Sequence, residues 1–117
     1  MNAVGESRFW KRSAIFVIWD NWGGLYDHVP PPYVSYDSLG IRVPLLVISP
    51  YAKQNYVSHV QYETASVLRF AEDVYGLAPL AAADRRATSP AGDCFDFDGR
   101  ARPFVPINAE GTTAGRR

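Results

Sequence analysis

The stretch Ala14-Ile15-Phe16-Val17-Ile18-Trp19-Asp20-Asn21-Trp22-Gly23-Gly24-Leu25-Tyr26-Asp27-His28-Val29-Pro30-Pro31-Pro32 decides how this chain reads. Ala14 to Trp19 is apolar throughout, rich in β-branched and aromatic side chains and without polar alternation, a pattern that predicts a strand buried on both faces. Asp20 follows where that strand emerges, and in open α/β sheets ligands and metals bind in the crevice outside the carboxyl ends of strands. From Asn21 to Arg42 the sequence reads as loop, with Gly23-Gly24, a proline run, several tyrosines and Gly40. A loop of that length inside a compact domain is uncommon and usually functional.

Outward from this corner, Val43 to Ile48 reads as a second buried strand, with Pro44 confined to its start, where a missing N–H is tolerated. Ser58 to Tyr75 carries a helical stripe of Val60, Thr64, Val67, Leu68, Ala71, Val74 and Tyr75. Ser58 and Gln61 have capping-box spacing, Arg69 and Asp73 are set to pair, and Gly76 stands where a left-handed C-terminal residue is wanted. These elements predict an α/β arrangement in which the two runs are neighbouring strands and the helix packs on their face. Met1 to Ser13 reads as the tail of a helix plus a connector, and Phe95 and Phe97 as rings that pin a late segment to the body. Asn108 to Arg117 reads as a disordered tail behind a body spanning residues 1 to 107.

Composition narrows the function classes. The chain has 117 residues, with twelve basic and twelve acidic side chains. That neutral balance gives no electrostatic case for nucleic acid or an anionic membrane surface. No apolar run approaches the roughly 18 residues that a transmembrane helix needs. The first dozen residues carry Glu6, Arg8, Lys11 and Arg12 and lack the apolar core of a signal peptide. The single Cys94 cannot form an internal disulfide.

The candidate site residues each carry two readings. Asp20 is either a turn residue at a strand end or a metal ligand. Gly23-Gly24 is either a tight turn or the reversal that lets the side chains at 20 and 21 converge on one ion. His28 suits a transition metal, with Asp27 orienting it from behind, but a histidine ahead of three prolines also suits a loop cap. His59, at the entry to the predicted helix, suits capping or packing more than catalysis. Trp22, Tyr26, Tyr33 and Tyr36 either line a pocket for a choline-like headgroup by cation–π contact or pack the proline loop. No serine or threonine has a convincing nucleophile setting.

Several words of this sequence occur together and in order: Asn2 to Trp10, AIFVIWDNWGG, YDHVPPP, RVPLLVISPYAK from Arg42 to Lys53, YVSHVQYE from Tyr56 to Glu63, and CFDF from Cys94 to Phe97. They closely resemble the C-terminal part of the bacterial phosphoesterase family, which contains the non-haemolytic phospholipases C and an acid phosphatase and belongs to the alkaline-phosphatase-like superfamily. The match covers roughly residues 2 to 107.

The resemblance implies a metal-assisted phosphoester hydrolase and a three-layer α/β/α sandwich, of which this chain would be the C-terminal portion, incomplete as a domain. Family members run to several hundred residues, and the nucleophile and several metal ligands lie in the N-terminal half, so the catalytic nucleophile is expected upstream. Where the family usually reads W-D-D-W-G-G, with both aspartates as metal ligands in the acid-phosphatase relative, this chain has Asp20-Asn21. The resemblance thus implies Asp20 as ligand, Asn21 as a neutral and weaker one, His28 as a further candidate, and a divalent ion of undetermined identity. Trp22, Gly23, Gly24, Tyr26, Asp27 and His59 fall around them as supporting or substrate-loop residues. The implied substrate is a phosphate ester or phospholipid, monoester and diester remaining open, and relatives are mostly exported. The competing expectation is a truncated, inactive remnant, which the reading frame upstream of Met1 would distinguish.

Overall fold

The computed structural model describes residues 1–34, 36 and 38–108. The tail expected over Asn108 to Arg117 therefore lies, from 109 on, outside the described residues. The elements are helix α1 (Asn2–Gly5), a 3-10 turn (Trp10–Arg12), strands β1 (Ile15–Ile18) and β2 (Leu45–Ile48), and helices α2 (Ala65–Tyr75), α3 (Ala82–Arg86) and α4 (Ala91–Cys94). The result is a mixed fold with a small antiparallel sheet, compatible with the α/β class. Among the described residues no helix is long and apolar enough to cross a membrane.

β1 and β2 pair antiparallel, with Ile15 opposite Ile48, Phe16 opposite Val47, Val17 opposite Leu46 and Ile18 opposite Leu45. Because side chains alternate along a strand, Phe16, Ile18, Leu45 and Val47 share one face and Ile15, Val17, Leu46 and Ile48 the other. The first face meets α2 through Phe16, whose ring packs edge-on against Phe70 with centroids 4.9 Å apart. The expected burial on both faces is not seen, since Val17 is 41% and Leu46 55% exposed. The reason is layer count: α2 covers one face of the two-stranded sheet, and Val17 and Leu46 lie on the other.

α2 begins at Ala65, later than the predicted Ser58. Ser58 does not cap it, because the Ser58 hydroxyl donates to Asp93 and accepts the Val60 N–H instead. Asp93 thereby holds residues ahead of α2 out of the helix. The far end matches expectation: Gly76 is left-handed at φ 64°, Leu77 N–H donates to Glu72 O at 2.9 Å, and Arg69 meets Asp73 at 3.0 Å. This is the geometry that closes the last carbonyls of a helix.

The C-terminal segment completes the core. Phe95 is 5% exposed and bridges Ala52 just past β2. Its ring stacks on Phe70 at 4.9 Å and on Phe97 at 5.1 Å, so both expected pinning aromatics are engaged. Further on, Arg102 O accepts from the Trp10 indole at 2.8 Å, and the Arg102 guanidinium donates to Ser49 O and Ala52 O. Phe104 lies against Gly5, where a Cβ would come within 2.4 Å of the ring, so only glycine fits. Asn2 closes the circuit with paired bonds to the Ile107 backbone at 2.9 and 3.1 Å.

Phe95→Ala is expected to cost about 3–5 kcal/mol, the range for deleting a buried phenyl ring, or to abolish cooperative unfolding, in a urea titration. Val17→Ser on the open face is expected to stay within about 0.5 kcal/mol.

Candidate functional site

The corner after β1 is built from one short turn. Trp19 leaves the strand, Asp20 is exposed at its carboxyl end, and the Asn21 amide oxygen accepts the Gly23 N–H at 2.8 Å. Gly23 and Gly24 both take positive φ, at 61° and 79°, and Leu25 N–H donates to Trp22 O at 3.0 Å. Two successive left-handed residues reverse the chain within one turn, which side chains with a Cβ resist. The turn consumes one lone pair of the Asn21 oxygen, and the Asp20 carboxylate remains open to solvent.

Asp27 is occupied differently. The Arg42 guanidinium grips it with two parallel bonds, 2.7 and 2.8 Å, and Val29 N–H donates to it at 3.1 Å. The Arg42 pair, with Val29 behind it, holds the Asp27 carboxyl well below the usual carboxylate range. Arg42 stands just ahead of β2, so this ion pair ties both ends of the proline loop together. His28 Nδ1 stands 4.0 Å from Asp27 Oδ1, beyond hydrogen-bond reach, and its side chain is 84% exposed. The oxygens of Asp27 thus serve the loop, and the imidazole is free to turn.

Trp22 and Tyr26 are exposed, Tyr26 at 89%, as are Tyr33 and Tyr36. His59 is exposed in the extended segment before α2, no longer at a helix entry. A cleft of about 480 Å³ lies beneath the proline loop, lined by Ile18, Pro31, Arg42, Leu45, Tyr62 and Glu63 among others. A larger one of about 670 Å³ lies between β1 and α2 and touches none of the candidate residues. The smaller cleft is likewise lined by none of the candidate residues, although Val29 and Ser58 on its wall are the chain neighbours of His28 and His59. Among the described residues no three His, Cys, Asp or Glu side chains are grouped to hold a metal ion. Asp20 supplies one charge and Asn21 a partly engaged neutral oxygen. These donors fall short of the complete set that a hydrolytic metal occupies, so no catalytic step is derived through a metal held by this chain alone.

The phosphoesterase family model matches residues 1–78, two-thirds of the chain. The chain belongs to the phosphoesterase family. It is 32% identical over 125 aligned positions to phospholipase C B of Mycobacterium tuberculosis, covering 83% of this chain and 24% of that protein. It is 36% identical over 66 residues to non-specific phospholipase C1 of Arabidopsis thaliana, covering 43% of this chain and 12% of that protein. To the non-hemolytic phospholipase C of Pseudomonas aeruginosa it is 29% identical over 99 residues, 58% of this chain and 14% of that protein. This phosphoesterase chain therefore spans about an eighth to a quarter of the length of these relatives.

Sequence reasoning missed the polar hub on α4. The Asp93 carboxylate accepts from Tyr56 at 2.5 Å, from Ser58, and from Tyr62 at 2.9 Å, with Cys94 Sγ 3.7 Å away. The Ser58 and Tyr56 hydroxyls lead in holding Asp93 down to about 2. Burial pushes the Cys94 thiol up, so it is a poor nucleophile. The signal was present: two phosphoesterase words, Tyr56 to Glu63 and Cys94 to Phe97, meet here.

Arg42→Ala is expected to return Asp27 toward the ordinary carboxylate range. A carboxylate held low stabilises the fold above its ordinary value and loses that contribution as pH falls through the lowered one. Carbon-13 titration should show Asp27 resisting protonation in the parent, titrating normally in the variant, and losing amide protection at Val29.

Proposed function

We propose that this chain is the C-terminal portion of a metal-assisted phosphoester hydrolase of the phospholipase C or acid-phosphatase type, in which Asp20 is one metal ligand. The observation that carries the reading is the meeting of a family match over residues 1–78 with an exposed carboxylate at the end of β1, ahead of a glycine reversal. Asn21 lies beside it as a weak neutral donor, and the exposed His28 is a further ligand candidate from the same loop. Trp22 and Tyr26 face solvent where a substrate headgroup would enter. A bound divalent cation would neutralise the non-bridging oxygens of a phosphate ester or phospholipid. The chain's own part is to present Asp20 on a rigid turn, with Arg42 and Asp27 fixing the loop around it. The nucleophile belongs to residues outside this chain.

The open sheet supports an incomplete three-layer sandwich. Val17, Trp19 and Leu46 stay exposed, and two strands leave both outer edges of the sheet without a strand partner among the described residues. A second reading, an inactive remnant, is favoured by one observation: the position where the family usually carries a second aspartate holds Asn21.

The purified 117-residue chain is expected to bind zinc, manganese or calcium weakly by calorimetry and to hydrolyse neither p-nitrophenyl phosphate nor phosphatidylcholine. Joined to the N-terminal part of a phosphoesterase relative, Asp20→Ala is expected to lower kcat/KM by more than about 100-fold, above the cost of losing an outer-shell partner. Asn21→Asp should equal or raise activity. Turnover by the isolated chain overturns the reading of an incomplete domain, full activity of Asp20→Ala removes Asp20 from the site, and a joined protein without activity favours the inactive remnant.

A further inference from the structure

The contact between α2 and α3 buries two carboxyl groups together. Glu72 is 3% and Asp84 1% exposed. Asp84 accepts N–H bonds from Leu80 at 2.7 Å, Ala81 at 2.8 Å and Arg85 at 2.9 Å, which leaves Oδ2 room for one more. It caps α3 from its first turn, since Ala81 has no side-chain oxygen to do so. Glu72 is the reverse case, because neither of its oxygens has a hydrogen-bond partner among the described residues. An ionised carboxylate left buried and unpaired is strongly disfavoured, a penalty that a proton removes. A protonated Glu72 has one donor to offer, and the negative Asp84 carboxylate, buried at the same contact of α2 with α3, is the acceptor that acts on it.

We propose that Glu72 and Asp84 share a single proton, and that this proton is the latch holding α3 on α2, so that α3 is released when the proton is lost. The groups that interact with Glu72 fit this assignment. From α2 comes Arg69, already paired with Asp73 at 3.0 Å, and from the α3 side come the Leu80 backbone and Asp84. The Arg85 backbone is spent on Asp84, and the Arg86 guanidinium grips Glu63 at 2.7 Å. Burial, then the negative Asp84, push the Glu72 carboxyl up. Burial opposes Asp84 ionisation, but the N–H groups of Ala81 and Leu80 outweigh it and hold that carboxyl down to about 2.

The two shifts set a window. A carboxyl raised in the folded state stabilises below its ordinary value and loses that contribution as pH rises through the raised one. A carboxylate lowered in the folded state stabilises above its ordinary value and loses that contribution as pH falls through the lowered one. The latch is therefore closed above about 2, where Asp84 ionises, and below the raised value of Glu72. Above that value a second negative charge enters a buried site, and residues 80–86 separate from α2. The Arg86 grip on Glu63, at the foot of α2, would go with them.

The test is a carbon-13 titration of the Glu72 side chain in the full chain, with hydrogen exchange read as protection factors at Leu80, Ala81 and Arg85. Glu72 is expected to titrate above the ordinary carboxylate range. Protection should be lost across the same midpoint. Glu72→Gln, which keeps a donor and removes the titration, should hold its protection on both sides. Glu72 titrating in the ordinary range, as it would also in an unfolded chain, overturns the proposal. So does a glutamine variant that loses protection in parallel with the parent, or a Glu72 midpoint displaced by added magnesium, which would mark a cation site.

Discussion

Phe95 is the contact on which the rest depends. Its ring touches Phe70 from α2 at 4.9 Å and Phe97 from its own segment at 5.1 Å, with Phe16 from β1 at 6.2 Å, while its backbone bridges Ala52 behind β2. None of these elements would persist alone. A helix of 11 residues falls below the roughly 12–15 at which isolated helices become marginal, and a two-stranded ribbon is marginal in water as well. Local propensity nominates the elements, but tertiary aromatic packing makes them stable.

α4 divides the polar from the apolar work. Asp93 and Phe95 are two positions apart, and one gathers hydroxyls from residues 56 to 62 while the other gathers rings from β1, α2 and Phe97. The hub explains why the polypeptide between β2 and α2 is extended. Three hydroxyls converge on one carboxylate, and a helix through Ser58 could not present them in that direction. The late segment, reading as loop from its Gly, Pro and charge content, thus governs both the start of α2 and the burial of β1.

What was legible in the sequence follows from the range of each signal. Periodicity and punctuation are local, so the strand runs at Ala14 to Trp19 and Val43 to Ile48, the Gly76 terminus and the Arg69–Asp73 pair read correctly. Two apolar runs and one amphipathic stripe were enough to make the runs neighbouring strands with the helix on their face, but the antiparallel register could not be read from them. The start of α2 could not be read either, because Asp93 lies far along the chain from Ser58 and no local pattern announces a distant hydrogen-bond partner. Asp27 shows the same limit: beside His28 it reads as an orienting carboxylate, yet its oxygens go to Arg42 across the loop. The buried Glu72 falls outside the apolar stripe read for this helix, and the packing of α3 against α2 is what no local pattern announces. The glycine reversal after Asp20 was legible because positive φ is a property of the residue itself.

The open face and the candidate site are linked by one physical argument. Apolar side chains such as Val17 and Leu46 stabilise a fold by about 1.5–3 kcal/mol each when fully buried, and here that contribution is largely unrealised. A run without polar alternation suits a strand covered on both faces, whereas here α2 covers one face of β1 and Val17 stays exposed on the other. Asp20 stands exposed at the carboxyl end of the same strand. With β2 antiparallel to β1, the end of β2 lies away from Asp20, beside Ile15. The one neighbour present therefore brings no strand end to the corner. Partial burial of the sheet and a lone exposed carboxylate at its corner both follow from a sheet that, among the described residues, has two antiparallel strands.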